Sequence, residues 1–207
     1  SIRIPASLCG LYGFKAPFGR VPTSETTFET LGPLARTFDD MVLMQNVITG
    51  PHPKVHAALR PKLDYPRTYG GLKGVRIALD YFESWIPEGI DPSVREALAD
   101  AAAVLRGQGA VVDEIRLGWS YAGQYKTFMH GLLSTGIGAM LLNAGQHRDK
   151  LTSYAAHFLK EARNGGPEAM AAADELATRL HRQLQQDVFG KGYHALLMPT
   201  LATPYFP

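Results

Sequence analysis

The sequence predicts an α/β fold, specifically an α/β/α layered domain in which helices cover both faces of a mixed sheet. Residues 74–79 and 110–115 have the pattern of strands on either side of an amphipathic helix, and such a βαβ unit favours parallel pairing. Helical patterns fill most of 121–188, and a further apolar strand pattern follows at 195–198. This order of elements is typical of layered α/β domains.

The first helix with clear end signals is predicted to begin after Thr37. The Thr37 hydroxyl is a favourable N-cap, and Asp39 and Asp40 place negative charge in the first turn, where the helix dipole favours it. A Gly-Pro pair at 50–51 ends the helix. The stretch 51–71, which carries four prolines, is then predicted to be a surface connection.

The helix of the βαβ unit is the best-defined element of the sequence. Asp91 is an N-cap candidate, and Pro92 occupies the first helical position, which proline favours. The helix ends at Gly107. One apolar stripe runs along it at helical spacing and consists of Val94, Leu98, Ala101, Ala102 and Leu105.

Beyond the second strand the pattern becomes helical. The stretch 121–143 contains several glycines, which predict a kinked or broken helix. Residues 151–163 and 168–188 are predicted helices, separated by an Asn-Gly-Gly-Pro stop at 164–167. Residues 195–198 precede a proline and form the last predicted strand.

The composition describes an ordinary globular protein. Of 207 residues, 45% are apolar and 19% are charged, which is enough apolar sequence for a sizeable core. The 21 Lys+Arg and 19 Asp+Glu give a net charge of +2 without long runs of like charge, so we expect no nucleic-acid or anionic-membrane partner. No apolar run approaches the roughly 20 residues that span a bilayer.

The cysteine and histidine content argues against disulfides and metal sites. Cys9 is the single cysteine, which fits a reducing compartment, so a cytoplasmic location is expected, and Cys9 itself is expected to be a buried packing residue. His52 and His56 have i, i+4 spacing, but prolines at 51 and 53 disfavour the helix that a metal pair needs. No metal ligand is predicted.

The first 22 residues have the composition of the wall of a functional site. Ser1 leads into a short apolar segment, and Gly10, Gly13 and Gly19 follow within ten residues of one another. Glycines at this density suit backbone packed closely around a reactive side chain rather than a periodic surface helix.

Three blocks in the same order resemble the amidase signature family of serine hydrolases. The first is 1–22, with Ile-Arg-x-Pro after the serine, then Cys-Gly and Gly-Arg-Val. The second is 31–40, which is similar to the family's Gly-Pro-x-Ala-Arg-Thr-x-x-Asp segment, and the third is Leu-Lys-Gly-x-Arg-Ile at 72–77. The resemblance implies that Ser1 is the nucleophile, that its backbone N–H contributes to the oxyanion hole, and that Arg3 braces the nucleophile loop. It implies neither a metal nor an organic cofactor.

In the resembled family a bridging serine and a lysine base lie upstream of the nucleophile. The sequence begins at Ser1, so we expect it to be a single-domain fragment of such a hydrolase, incomplete at both ends. Residues 1–118 would form the core part, 119–190 a variable helical region and 191–207 a return strand. Lys15 matches a different motif position and is rejected as the base.

The substrate is expected to be a small-molecule amide, cleaved at its C–N bond through an acyl-serine intermediate. Four residues spaced along one helix face are either core or substrate-facing, and the core interpretation is the stronger one; they are Tyr121, Tyr125, Phe128 and Met129. The 207-residue chain alone is expected to be inactive, because nucleophile, base and oxyanion donors act as a unit.

Two alternatives remain open. If Ser1 were the mature N-terminus, its α-amine, with a pKa of about 7.7–8.0, would act as the base of an N-terminal nucleophile hydrolase. The second alternative is a non-catalytic scaffold that keeps the fold and binds a partner through exposed helices. The sequence also leaves homodimerisation open.

Overall fold

The computed structural model describes residues 2–22, 30–86, 88–119 and 124–204. The described chain contains five short strands and seven α-helices. In chain order these are α1 (Arg3–Cys9), β1 (Tyr12–Gly13), β2 (Leu34–Ala35), α2 (Phe38–Ile48), β3 (Arg76–Leu79), α3 (Pro92–Gly107), β4 (Val111–Glu114), α4 (Gln124–Leu133), α5 (Gly136–Ala144), α6 (Ser153–Ala162), α7 (Pro167–Asp187) and β5 (Ala195–Leu197). Two 3₁₀ turns lie at Gly145–Lys150 and Phe189–Lys191.

The strands form one parallel and one antiparallel unit. The order of the three-stranded sheet is β4-β3-β5, and both pairings are parallel, with Ile77 opposite Val112 on one side and Ala195 on the other. β1 and β2 form a separate antiparallel pair. The prediction of a sheet with strands near 75–79, 110–115 and 195–198 is therefore confirmed, and the parallel pairing of the βαβ unit is confirmed with it.

Helices cover both faces of the parallel sheet, as the layered prediction requires. Alternate residues of a strand point to opposite faces. Ile77 and Leu79 pack with Leu98 and Ala102 of α3, whereas Ala78 packs in a second cluster with Val188, which follows α7. The sheet is thus the middle layer of three.

The capping signals in the sequence act as predicted. The Asp40 N–H donates to the Thr37 hydroxyl at 3.1 Å at the start of α2. The Ser93 N–H donates to the Asp91 carboxylate at 2.8 Å at the start of α3. The apolar stripe of α3 packs on the sheet through Leu98, Ala102 and Leu105.

A buried carboxylate organises the loops at the carboxyl ends of β3 and β4. Asp80 is 2% exposed, and its two carboxylate oxygens accept the N–H groups of Phe82 at 2.7 Å and Leu117 at 2.6 Å. Phe82 has φ +64°, a left-handed conformation that is unfavourable for a bulky residue. The Asp80 hydrogen bond compensates for this strain and joins the two loops.

A polar cluster at the other end of the sheet joins all three strands. The Arg76 guanidinium lies 3.1 Å from an Asp113 carboxylate oxygen, donates to the Lys191 carbonyl at 3.0 Å and stacks 4.6 Å from the centre of the Tyr193 ring. The Tyr193 hydroxyl donates to the same Asp113 oxygen. Burial, followed by the Asp113 hydrogen bond, raises the pKa of Tyr193, so the hydroxyl remains a donor at neutral pH.

The predicted break within 121–143 is confirmed, and both a glycine and local hydrogen bonds lie at it: a Cβ at Gly138 would lie 1.6 Å from the Leu133 carbonyl oxygen. α4 stops at Leu133, and α5 begins three residues later. The Ser134 hydroxyl donates to the His130 carbonyl at 2.6 Å and accepts the Gly166 N–H at 2.9 Å. Hydroxyl groups that bond to the i−4 carbonyl in this way slightly destabilise and often bend helices.

The first 22 residues are closely packed at Gly13 and Gly19, as expected, but part of them is helical. Arg3–Cys9 form α1, so the expectation of non-helical backbone is wrong for this segment. Cys9 lies exposed on the helix and is not the buried packing residue predicted. The helix is short because Gly10 takes a left-handed conformation at φ +63° and caps its end.

Close contact between α4 and α7 generates a stability prediction. A Cβ at Gly131 would lie 2.1 Å from the Cβ of Ala173, so Gly131→Ala should lower the free energy of unfolding by about 1–3 kcal/mol through overpacking. Gly107→Ala is the matched control, because Gly107 also lies in a helix but has open space at its Cβ position.

Urea denaturation of both variants measures the difference. Gly107→Ala should be neutral or stabilising by up to about 1 kcal/mol through helix propensity. Adding Ala173→Gly should restore part of the stability lost in Gly131→Ala. Equal stability of the two single variants would contradict the close packing of α4 on α7.

Candidate active site

The predicted nucleophile lies next to the first described residue. Ser1 itself is outside the described residues, so its side-chain geometry is not part of the site described below. Ile2 follows it as the N-cap of α1, and Ala6 closes the first turn by donating its N–H to the Ile2 carbonyl at 3.0 Å. Ile2 and α1 are therefore the described elements nearest in sequence to the predicted nucleophile.

Ile2 is buried against two glycines. A Cβ at Gly13 would come within 3.0 Å of Ile2 Cγ2 and 2.8 Å of Ala6 Cβ. A Cβ at Gly32 would come within 2.7 Å of Ile2 Cδ1 and 2.0 Å of the Phe14 carbonyl oxygen. Both glycines are therefore required for Ile2 and α1 to lie this close to the antiparallel pair.

The antiparallel pair of β1 and β2 connects α1 with α2. Gly13 lies opposite Leu34 in the β1–β2 register, and the Phe14 N–H donates to the Pro33 carbonyl at 3.3 Å. The Tyr12 ring packs edge-on against Phe38, the first residue of α2, at 6.3 Å between centroids. The second motif block, 31–40, thus supplies the support on which the first block rests.

The amino end of α1 has backbone donors without a side-chain cap. Ile2 carries no hydrogen-bonding group, so its side chain caps neither the Arg3 nor the Ile4 N–H. Pro5 has no N–H at all. Uncapped N–H groups at a helix start carry partial positive charge, which favours negative charge nearby.

The charged side chains of this part of the chain are all cationic. Residues 1–22 contain Arg3, Lys15 and Arg20 and no Asp or Glu. Burial, and secondly the charge of Arg3, lower the pKa of Lys15, whose ammonium donates to the Ala16 carbonyl at 3.2 Å. Arg20 donates to the Pro61 carbonyl at 3.0 Å.

Arg3 is exposed, and its guanidinium makes no hydrogen bond within the described ranges. Its one electrostatic effect found there is on Lys15. The predicted partner of Arg3 is the loop that carries the nucleophile, so its bracing role stays a prediction.

The structure places the predicted substrate-facing residues that it describes on α4 and not beside α1. Tyr125, Phe128 and Met129 lie on α4, which packs on α7, whereas α1 packs on β1. Tyr125 and Phe128 are 47% and 41% exposed, and Met129 is half-buried. Tyr121 lies outside the described residues. The first two side chains therefore retain substantial exposed surface on α4, so their substrate-facing role stays a prediction.

Sequence reasoning indicated close packing at Gly13 but missed the supporting role of Ile2 and Gly32. A glycine in the second motif block, at position 32, was the available signal, but only the fold brings it against Ile2. Within the described ranges no group of three or more His, Cys, Asp or Glu side chains could hold a metal ion. Within the same ranges, no helix has the length and hydropathy needed for a bilayer span.

Comparison with solved structures identifies the fold. The chain superposes on a bacterial aryl acylamidase of the amidase signature enzymes family with a TM-score of 0.80 at 24% identity, covering 98% of this chain and 44% of that one. It superposes on 6-aminohexanoate cyclic dimer hydrolase with a TM-score of 0.69 at 21% identity, covering 97% and 45%. The α/β layered arrangement is therefore the fold of amidase signature enzymes.

Comparison of sequences gives the family itself. Residues 1–207 match the sequence model of the Amidase family, so the chain belongs to that family. A glutamyl-tRNA(Gln) amidotransferase subunit of Chloroflexus aggregans is 37% identical over 124 residues, covering 56% of this chain and 25% of that protein. The corresponding protein of Neisseria meningitidis is 38% identical over 124 residues, with the same coverage. The chain thus spans about a quarter of these relatives' length.

The close approach of Phe14 and Ile2 to Gly32 predicts that a larger residue at position 32 lowers stability and loosens the first turn of α1. Gly32→Ala should lower the free energy of unfolding by about 1–3 kcal/mol, because the added Cβ meets a backbone oxygen that cannot rotate away. It should also speed hydrogen exchange at the Ala6 amide, which closes the first turn of α1. Gly70→Ala is the control, since its Cβ would point into open space. Identical exchange at Ala6 in the two variants would refute the contact.

The interaction of Arg3 with Lys15 predicts that removal of the Arg3 charge changes the pKa of Lys15. Because Arg3 lowers the pKa of Lys15, Arg3→Gln should raise that pKa toward the ordinary lysine value of about 10.4 but not reach it, since burial is the larger cause. Carbon-13 NMR titration of Lys15 Cε measures this shift, with Arg20→Gln as the control. An unchanged or lower Lys15 pKa in Arg3→Gln would show that the two charges do not interact.

The lowered pKa of Lys15 determines whether the free energy of unfolding rises or falls with pH where this lysine titrates. A lysine whose pKa is lowered on folding binds its proton more weakly in the folded chain than in the unfolded chain. The charged form therefore opposes folding at neutral pH. The free energy of unfolding therefore increases as pH rises from the lowered pKa of Lys15 in the folded chain to about 10.4, its ordinary value in the unfolded chain.

Proposed function

We propose that this chain supplies the nucleophile, Ser1, of an amidase that cleaves an amide C–N bond through an acyl-serine intermediate. The observation that carries the proposal is the match of residues 1–207 to the Amidase family, with the first of three motif blocks beginning at Ser1. A serine hydroxyl needs a base and oxyanion donors to attack an amide.

In the first half-reaction the Ser1 hydroxyl oxygen attacks the amide carbonyl carbon and loses its proton to a base. The tetrahedral intermediate collapses when the C–N bond breaks, and the leaving nitrogen takes up a proton and departs as the amine. Water then attacks the acyl-serine ester, which releases the carboxylic acid and restores the serine hydroxyl. The proton count balances because the same base accepts and returns one proton in each half-reaction.

The surroundings of α1 support charge development at this position. Negative charge forms on the carbonyl oxygen in the transition state, and fixed donors stabilise it without reorganisation. The Ser1 N–H is proposed as one donor. The uncapped amino end of α1 and the surplus of cations over residues 1–22 add positive potential to this part of the chain.

The base is proposed to be a lysine acting through a bridging serine, both supplied by polypeptide outside these 207 residues. Lys15 has its pKa lowered in the direction that a general base needs, but its ammonium is directed at the neighbouring Ala16 carbonyl. We therefore assign Lys15 no part in proton transfer. The substrate is proposed to be a small-molecule amide, with Tyr125, Phe128 and Met129 contributing to its binding surface.

Kinetics of matched proteins test this function. The longest natural polypeptide that contains this sequence should hydrolyse members of a panel of simple aliphatic and aromatic amides. Replacing the serine at position 1 of the present numbering with alanine should lower turnover by at least about 10³-fold, because nucleophile and base act as a unit. Lys15→Met should retain turnover within about tenfold, since its ammonium is assigned no proton-transfer step.

The 207-residue polypeptide alone should be inactive on the same panel, because loss of even one oxyanion donor costs about 10²–10³-fold. Turnover by this polypeptide that depends on Ser1 would favour the N-terminal nucleophile mechanism. Absence of turnover in the longest polypeptide, with the fold intact, would favour the non-catalytic scaffold. A loss in Lys15→Met as large as in the serine variant would make Lys15 the base.

A further inference from the structure

The helical layer contains a cavity that the proposed chemistry does not use. Its volume is about 310 Å³, at the lower end of the range typical of small-molecule sites. Three apolar side chains and two cationic side chains line it, namely Leu151, Ala156, Leu159, Lys160 and Arg163. The cavity lies along α6 and not along α1.

The lining follows the geometry of one helix face. Ala156, Leu159, Lys160 and Arg163 are spaced at i, i+3, i+4 and i+7, which places them on the same side of α6. Leu159 is 6% exposed and forms an apolar wall, whereas both cations are exposed. One face of α6 therefore combines an apolar surface with two positive charges at its carboxyl end.

These two cations have no acidic partner within the described ranges. The acidic side chain of α6, Glu161, is engaged on another side of the helix, where its carboxylate lies 3.1 Å from His130 Nε2. That hydrogen bond is the main cause that lowers the pKa of Glu161, which therefore remains an anion paired with α4. It is not available to neutralise Lys160 or Arg163.

The helix dipole explains part of this arrangement. Cations in the last turn of a helix are favourable because the unpaired carbonyls there carry partial negative charge. Lys160 lies in that turn, and Arg163 is the C-cap. The dipole does not explain why an open cavity with an apolar wall adjoins the same two side chains.

We propose that this cavity binds a small organic carboxylate with an apolar body. The planar guanidinium of Arg163 matches the two oxygens of a carboxylate, and the Lys160 ammonium adds a second charged donor. Burial of the apolar body against Leu151 and Leu159 supplies the remaining affinity. This inference is independent of the proposed amidase activity, and its test uses binding alone.

The probe is 3-phenylpropionate, titrated into the purified protein and followed by the methyl NMR signals of Leu151 and Leu159. Saturable shifts of both residues are expected. Lys160→Gln and Arg163→Gln should each weaken binding about tenfold, as expected for loss of a hydrogen bond to a charged group. Arg182→Gln, which removes an exposed charge from α7, should leave binding unchanged.

Two further ligands distinguish the contribution of the charge to binding from that of the apolar body. 3-Phenylpropan-1-ol has the same apolar body without the charge and should bind about tenfold more weakly. Inorganic phosphate has the charge without the apolar body and should produce no saturable shift of Leu159. The proposal is overturned if the alcohol or phosphate binds as well as 3-phenylpropionate, or if neither Gln variant weakens binding while its circular dichroism is unchanged. Absence of saturable binding at millimolar 3-phenylpropionate also overturns it.

Discussion

The contact of Ile2 with Gly13 and Gly32 is the constraint on which the candidate site depends. A side chain at position 32 would overlap the Phe14 carbonyl oxygen and Ile2 Cδ1, so only glycine permits the segment before β2 to lie this close to the end of β1 and to Ile2. The contact fixes the first turn of α1 and with it the direction in which the chain leaves Ile2. In the proposed amidase this packing would support the nucleophile next to Ile2, because reactive groups need rigid support to hold a productive geometry.

The elements that the sequence predicted well are those whose signals are local. α2 and α3 begin at Thr37 and Asp91, where side-chain oxygens accept backbone N–H groups within three residues. The break between α4 and α5 is likewise encoded beside it, at Ser134. Such signals act over one or two turns, and tertiary context does not override them here.

The elements that the sequence did not predict depend on distant partners. α1 is a seven-residue helix, too short to be stable alone, so its existence depends on the burial of Ile2 and Ala6 against Gly13. The closely spaced glycines around α1 indicated close packing, but they did not indicate which segments of the backbone would be in contact. Cys9 is exposed at the last residue of α1, although its spacing places it on the same side of the helix as Ile2 and Ala6, and its residue type alone does not reveal this exposure.

Covalent trapping determines whether Ser1 is the activated nucleophile. The longest natural polypeptide that contains this sequence is treated with a fluorophosphonate, which modifies activated serine hydroxyls, and the adduct is located by tandem mass spectrometry. We expect one adduct, on Ser1, and none after the protein is unfolded before treatment, because activation requires the assembled site. An adduct on Ser7, or no adduct in a protein that hydrolyses amides, would contradict it.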